Sequence, residues 1–151
     1  MASPRNPPRS AFQIIWRAHK FVWKFSGRRL GTRSMGMGVI ELTTRGRRSG
    51  SARAVLLSYL DSPDGPLVAG TNAGLDRDPA WVQNLRAEPQ AEFATRVGAR
   101  LLAANFLAGA DHDDAWSRFQ AADAQYARYA AMLTRPVPIV RFEVREDGGS
   151  R

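Results

Sequence analysis

The chain has 151 residues, the size of one domain, and 44% of them are hydrophobic, enough to bury a core. It has no cysteine and only two histidines, His19 and His112, which excludes a disulfide scaffold, an iron–sulfur cluster, a thiolate metal site and a Cys nucleophile, and leaves no zinc-ligand set. The net charge of +8 is uneven: residues 1–53 carry 12 Lys and Arg against one acid, Glu41, and the remainder carries 10 against 13, an asymmetry that points to an anionic partner.

Residues 1–10 hold three prolines and two arginines and read as a disordered basic arm. Residues 11–35 read as an amphipathic helix, over 11–25, and its connection. Phe12, Ile15, Trp16, Val22 and Trp23 recur at helical spacing, with Arg17, Lys20, Lys24 and Arg28 along another face. The helix either packs on the domain with that face as a solvated edge, or sits at a membrane interface or caps a site for an apolar substrate. No stretch is long and apolar enough to span a bilayer, and no signal-peptide cleavage site follows a clean apolar run. The expected location is therefore the cytoplasm, with peripheral contact at the inner face of the membrane as the further option.

Residues 36–145 read as the folded domain and 146–151 as a tail. Strands are expected at Val39–Thr44, Arg53–Leu60, Leu67–Thr71, Ala91–Val97, Arg100–Leu107 and Pro138–Val144. The Asp-Ser-Pro-Asp-Gly run at 61–65 closes one hairpin, and Gly98 marks a second. A helix capped by Asp78, with Pro79 at its first position, runs to about Ala87. Another opens at Asp111, with Trp116, Phe119, Tyr126, Ala130 and Leu133 near one stripe. Strands followed by helices without βαβ alternation imply an α+β fold of about six mostly antiparallel strands, closed or partly closed into a small barrel.

Thr43–Arg53 is the most informative segment. It joins two strands, contains Gly46 and Gly50, and carries Arg45, Arg47, Arg48 and Arg53. Glycines permit a tight turn with exposed N–H groups, and guanidinium forks suit phosphate and carboxylate. The loop is an anion cradle, though neither a Walker A loop nor a Rossmann fingerprint. A solvated basic hairpin and a nucleic-acid contact are the alternatives; no aromatic residues interleave with these arginines as stacking platforms would, so no nucleic-acid partner is expected. Thr71-Asn72-Ala73-Gly74 closes a strand with small residues that let a flat ligand approach the backbone. Trp81, Asn84, Ser58 and the pair Tyr126 and Tyr129 each have a packing reading beside a functional one.

In this order the segments resemble the deazaflavin-dependent nitroreductase-like family, the F420-dependent reductases of actinobacteria. The family's Gly-Arg-Arg/Lys-Ser/Thr-Gly-x-x-Arg loop is matched by Gly46 to Gly50 with Arg53. The small glycine-rich turn is matched by Thr71 to Gly74, and the Pro-x-Trp-x-x-Asn-Leu helix by Pro79, Trp81, Asn84 and Leu85. The Tyr-x-x-Tyr helix and the Pro-Ile-Val strand are matched by Tyr126, Tyr129 and Pro138 to Val140. The resemblance covers roughly 38–144. This chain departs from it at Leu56, where proline is usual, at Ser58, where some members have tyrosine, at Ala73 for a glycine and at Asp123 for an aromatic.

The resemblance implies a split β-barrel that binds coenzyme F420, with FMN as the alternative cofactor, and reduces a small organic acceptor such as a quinone or nitroaromatic. A flavin- or haem-binding barrel and a non-catalytic deazaflavin or lipid binder are the competing functions. The implied cofactor-binding residues are Arg47, Arg48, Ser49, Gly50, Arg53, Leu56, Thr71, Asn72, Ala73, Gly74, Trp81 and Asn84. The Ser49–Gly50 amides would join the arginines at the phosphate. Tyr126, Tyr129 and Ser58 are implied for acceptor binding or proton donation, and no metal is expected.

Overall fold

The computed structural model describes residues 33–34 and 37–144. The expected basic arm, the helix over 11–25 and the tail at 146–151 lie outside the described residues. Seven strands form one antiparallel sheet: β1 (Arg33–Ser34), β2 (Met37–Arg45), β3 (Ala52–Tyr59), β4 (Leu67–Ala69), β5 (Gln90–Thr95), β6 (Gly98–Phe106) and β7 (Ile139–Glu143). The described helices are α1 (Ala80–Ala87), α2 (Gly109–Ala122) and α3 (Ala124–Met132), with a single 3-10 turn at Asn72–Gly74.

The sheet runs β3-β2-β5-β6-β7-β4, with the short β1 also on β2. It curls back on itself, because Leu60, just past β3, bridges Leu67 at the start of β4 through both backbone hydrogen bonds, 3.0 and 2.8 Å. The six long strands therefore close at one end. Beyond that bridge β3 and β4 part, and the barrel is split there.

Alternation along the strands fills the interior, since successive side chains face opposite sides of a sheet. Ile40 and Leu42 of β2, Phe93 of β5, Leu102 of β6 and Val140 and Phe142 of β7 all point inward. Helix α1 contributes Trp81, Val82 and Leu85 to the same core. A second core lies on the other side of β4 and β7, where Leu67, Ala69 and Ile139 meet Ala115 and Phe119 of α2. Strand β4 is buried on both faces, which is why it reads as the unbroken apolar run Leu67-Val68-Ala69.

Three sequence expectations are corrected in detail. Pro79, not Asp78, is the N-cap of α1, and no side chain caps that end. The Asp78 carboxylate turns instead to two guanidiniums, Arg86 and Arg135, at 2.5 and 2.9 Å. The single helix expected from Asp111 starts at Gly109 and breaks at Asp123, whose carboxylate accepts from the Gln125 N–H at 2.9 Å and so starts α3. The second hairpin turns at Arg96–Val97, with Gly98 already opening β6.

Candidate functional site

The loop between β2 and β3 folds on itself through the Gly46 N–H to the Ser51 carbonyl at 2.7 Å and the Gly50 N–H to the Gly46 carbonyl at 2.8 Å. Gly50 has φ 71°, the left-handed region open to glycine. A Cβ at Gly46 would lie 2.7 Å from Ser49 Oγ, so a larger residue there would displace the Ser49 side chain. The Gly50 amide is thus consumed internally, which corrects the expectation that it faces a phosphate. Among the described residues no partner takes the amides of Arg48 and Ser49. The side chains of Arg47, Arg48, Ser49 and Arg53 are exposed around them.

Asn84 of α1 anchors this loop from below. It is buried at 3% exposure. Its Oδ1 accepts from the Arg47 backbone N–H at 3.1 Å and from Arg47 Nη1 at 3.2 Å, while its Nδ2 donates to Thr44 Oγ1 at 3.0 Å. Every hydrogen-bonding direction needed to fix the amide's orientation is used. Asn84 therefore shapes the cradle and aims Arg47.

Two connected lobes lie along the split. The outer lobe, about 500 Å³, is walled by Arg47, Arg48, Ser49 and Arg53 on one side and by Asn72, Pro79, Trp81 and Asn84 on the other. The inner lobe, about 240 Å³, occupies the gap where β3 and β4 separate. Val55, Leu57 and Ser58 come from β3, Ala69 and Thr71 from β4 and its end, and Tyr126 from α3. Val55, Asn72, Pro79 and Trp81 border both lobes, so the two adjoin, and the guanidiniums line only the outer one.

Tyr126 is held on three sides by rings: Phe119 at 5.1 Å, Tyr129 at 6.1 Å and Trp116 at 6.2 Å between centroids. Burial pushes its phenol up to about 12, the Asp123 carboxylate and Tyr129 add to the rise, and a hydrogen bond with Ser58 opposes it. The phenol is consequently a neutral donor throughout the physiological range. Tyr129 sits one turn on. Its hydroxyl accepts from Gln125 Nε2 at 2.6 Å, and its ring lies against Gly74, where a Cβ would meet Tyr129 Cδ1 at 3.2 Å.

The structure brings together most of the residues singled out in the sequence. Arg47, Arg48, Ser49, Arg53, Asn72, Trp81 and Asn84 line the outer lobe; Thr71, Ala73, Ser58 and Tyr126 line the inner one. Gly50, Gly74 and Tyr129 stand behind the walls and shape them. Leu56 lines neither lobe, and its side chain is 53% exposed. Ala73 has φ 54° and Asn72 φ 49°, so the alanine that departs from the family pattern occupies a conformation glycine takes without steric cost. Thr44 and Arg135, which the sequence reading passed over, prove central to holding the groove. No group of acids and histidines that could hold a metal occurs among the described residues, and no helix among them is long and apolar enough to cross a membrane.

Residues 15–144 match the family described as F420H(2)-dependent quinone reductase. The F420H(2)-dependent quinone reductase of Mycobacterium tuberculosis is 27% identical over 132 residues, covering 83% of this chain and 87% of its own. Among solved structures, an F420-H2 dependent reductase superposes with a TM-score of 0.61 at 24% identity, covering 70% of this chain and 93% of the other. A chain described as a domain-swapped dimer superposes with a TM-score of 0.64 at 19% identity, covering 89% and 99%. These two share the fold, with the strands curled into a split barrel. By the match over nearly its whole length, the chain belongs to the F420H(2)-dependent quinone reductase family.

Proposed function

We propose that the groove binds F420 with its anionic tail in the outer lobe and its flat ring in the inner lobe, and that the protein reduces a quinone-type acceptor there. The observation that carries this reading is the confinement of the guanidiniums to one of two adjoining lobes. Exposed Arg47, Arg48 and Arg53 with the Arg48 and Ser49 amides suit a phosphate and glutamate tail. Val55, Leu57, Ala69 and Trp81 suit a planar apolar ring. Family membership favours F420 over FMN, the alternative drawn from the sequence.

The reduced cofactor supplies the hydride when bound, and the protein supplies position and electrostatics. Hydride transfer to a quinone leaves negative charge on the acceptor oxygen, which a proton must then neutralise. Tyr126 is suited to donate a hydrogen bond to that oxygen, because its phenol stays protonated at neutral pH and its ring packs against Phe119. Ser58, bonded to it, holds the hydroxyl in the inner lobe. Asn84 and Thr44 keep Arg47 at the mouth. The basic and apolar faces of residues 11–25 fit docking at a membrane that carries a lipid-soluble quinone; equal sedimentation with vesicles of the chain with and without residues 1–25 would remove that part.

The direct test is anaerobic mixing of the protein with reduced F420 and a soluble naphthoquinone, followed by the return of the oxidised deazaflavin's absorbance. A rate proportional to protein concentration, with one quinone consumed per cofactor oxidised, is expected. Reoxidation no faster than in the protein-free control would remove the activity.

A further inference from the structure

Arg135 lies in the connection between α3 and β7, far in sequence from the groove. Its guanidinium is 14% exposed and its donors converge on one short segment. Nη2 donates to the carbonyls of Gly70 at 3.2 Å, Thr71 at 3.0 Å and Leu75 at 3.1 Å; Nε donates to Leu75 at 3.2 Å. Nη1 pairs with Asp78 Oδ1 at 2.9 Å. The segment thus gripped, 70–78, contains the turn that walls both lobes. It also contains the two non-glycine residues with left-handed φ, Asn72 and Ala73, the only such pair among the described residues.

A conformation of that kind persists only where its surroundings over-determine it. The turn's own bonds are few: the Gly74 N–H to the Thr71 carbonyl and the Leu75 N–H to the Asn72 carbonyl, both at 3.0 Å, and Asn72 Nδ2 to the Arg77 carbonyl at 3.1 Å. Arg135, which lines neither lobe, supplies further bonds. By taking the carbonyls of Gly70, Thr71 and Leu75, it leaves the inner-lobe surface of the turn to Thr71, Asn72 and Ala73. Asp78 extends the clamp to α1, since it also pairs with Arg86, so the turn and the helix bearing Trp81 and Asn84 are tied to one guanidinium.

We infer that Arg135 is a positioning residue for the inner lobe: it holds the Thr71–Gly74 turn in the shape that receives the ring of the cofactor. This rests on the ring-in-inner-lobe reading above, and it makes two separable demands. The planar fork is needed to reach several carbonyls at once, so Lys, a point donor on a flexible stem, is a poor substitute despite its charge. The effect is on the turn, not on the barrel, whose closure at Leu60 and Leu67 and whose core do not involve Arg135.

The experiment compares wild type, Arg135→Lys and Asp78→Asn. Hydrogen exchange is measured first, without cofactor. Amides 71–75 are expected to exchange about tenfold or more faster in Arg135→Lys, with protection in β2 and β7 unchanged. Fluorescence titration with F420 is then expected to show binding weakened about tenfold in Arg135→Lys and much less in Asp78→Asn, which keeps the carbonyl contacts. Unchanged exchange at 71–75 would overturn the clamp, whatever the protein binds. Faster exchange with unchanged F420 affinity would overturn its role at the site. Loss of a cooperative melt in Arg135→Lys would also overturn it, by placing Arg135 in the fold. Absence of F420 binding by wild type alone would instead sink the functional reading and leave the exchange result standing.

Discussion

Asn84→Ala isolates the way the cationic mouth is built. The substitution removes the acceptor for the Arg47 N–H and Nη1 and the donor to Thr44 Oγ1. The three losses are unequal. Arg47 is exposed, so water replaces the amide there at little cost. Thr44 is 1% exposed, and its hydroxyl loses its partner at the floor of the outer lobe. Leaving such a group unpaired costs about 1–3 kcal/mol, and each kcal/mol lowers Tm by about 2–4 °C for a domain near this size. A fall of roughly 2–12 °C by calorimetry follows. The binding effect is separate: Arg47 loses the partner that pre-orients it, and F420 affinity by fluorescence titration should weaken about tenfold. A double-mutant cycle with Arg47→Ala separates the two, since residues acting as a unit couple by about 0.5–3 kcal/mol. If Asn84→Ala lowered Tm but bound F420 within about twofold of wild type, and its effect added simply to that of Arg47→Ala, Asn84 would be a packing residue only.

Gly65→Ala should destabilise by more than about 2 kcal/mol in urea denaturation, because Gly65 has φ +134° and its Cβ would fall within 2.1 Å of the Phe142 carbonyl oxygen; a change below about 0.5 kcal/mol would refute the tight approach. Tyr126 ionises near 10.0 when unfolded and near 12 when folded, so the native state holds its proton longer. Its contribution is complete below pH 10 and is lost as pH rises from about 10 to about 12, where the unfolded state binds fewer protons. Tyr126→Phe should flatten that alkaline fall, and an ultraviolet titration should lose a phenol that ionises near pH 12; an unchanged profile would show that the hydroxyl is solvated. Binding of F420 should weaken with added salt, as exposed guanidiniums are screened over about 10 Å at 0.1 M, and Arg53→Ala should reduce that dependence; salt-independent binding would place the tail elsewhere.

The parts of this protein that were legible in the sequence are those governed by local rules. Alternation placed β2, an apolar run before the turn at 61–65 placed β3 with β4 as its return strand, and the glycines of 46–50 marked the loop between β2 and β3. The break at Asp123 was hidden because Phe119 and Tyr126 keep the helical stripe across it, and only the cap to Gln125 reveals the new start. Leu56 has the place of a site residue in the motif, yet its side chain stands 53% exposed and lines neither lobe. Asp78 has the chemistry of a cap, but two guanidiniums bind it more strongly than an orphan amide would. Arg135 left no local signal at all, since its carbonyl partners lie 60 to 65 positions earlier in the chain. The roles of Asn84 and Thr44 are equally non-local, 40 residues apart.

The measurement that bears most directly on the central claim is fluorescence titration of F420 into wild type and an Arg47→Ala/Arg48→Ala variant. Saturable binding at about micromolar concentration by wild type, weakened at least about a hundredfold in the variant while its melt stays cooperative, is the predicted result. Equal binding by the two proteins would contradict the account, because the cationic mouth of the groove would then take no part in holding the cofactor.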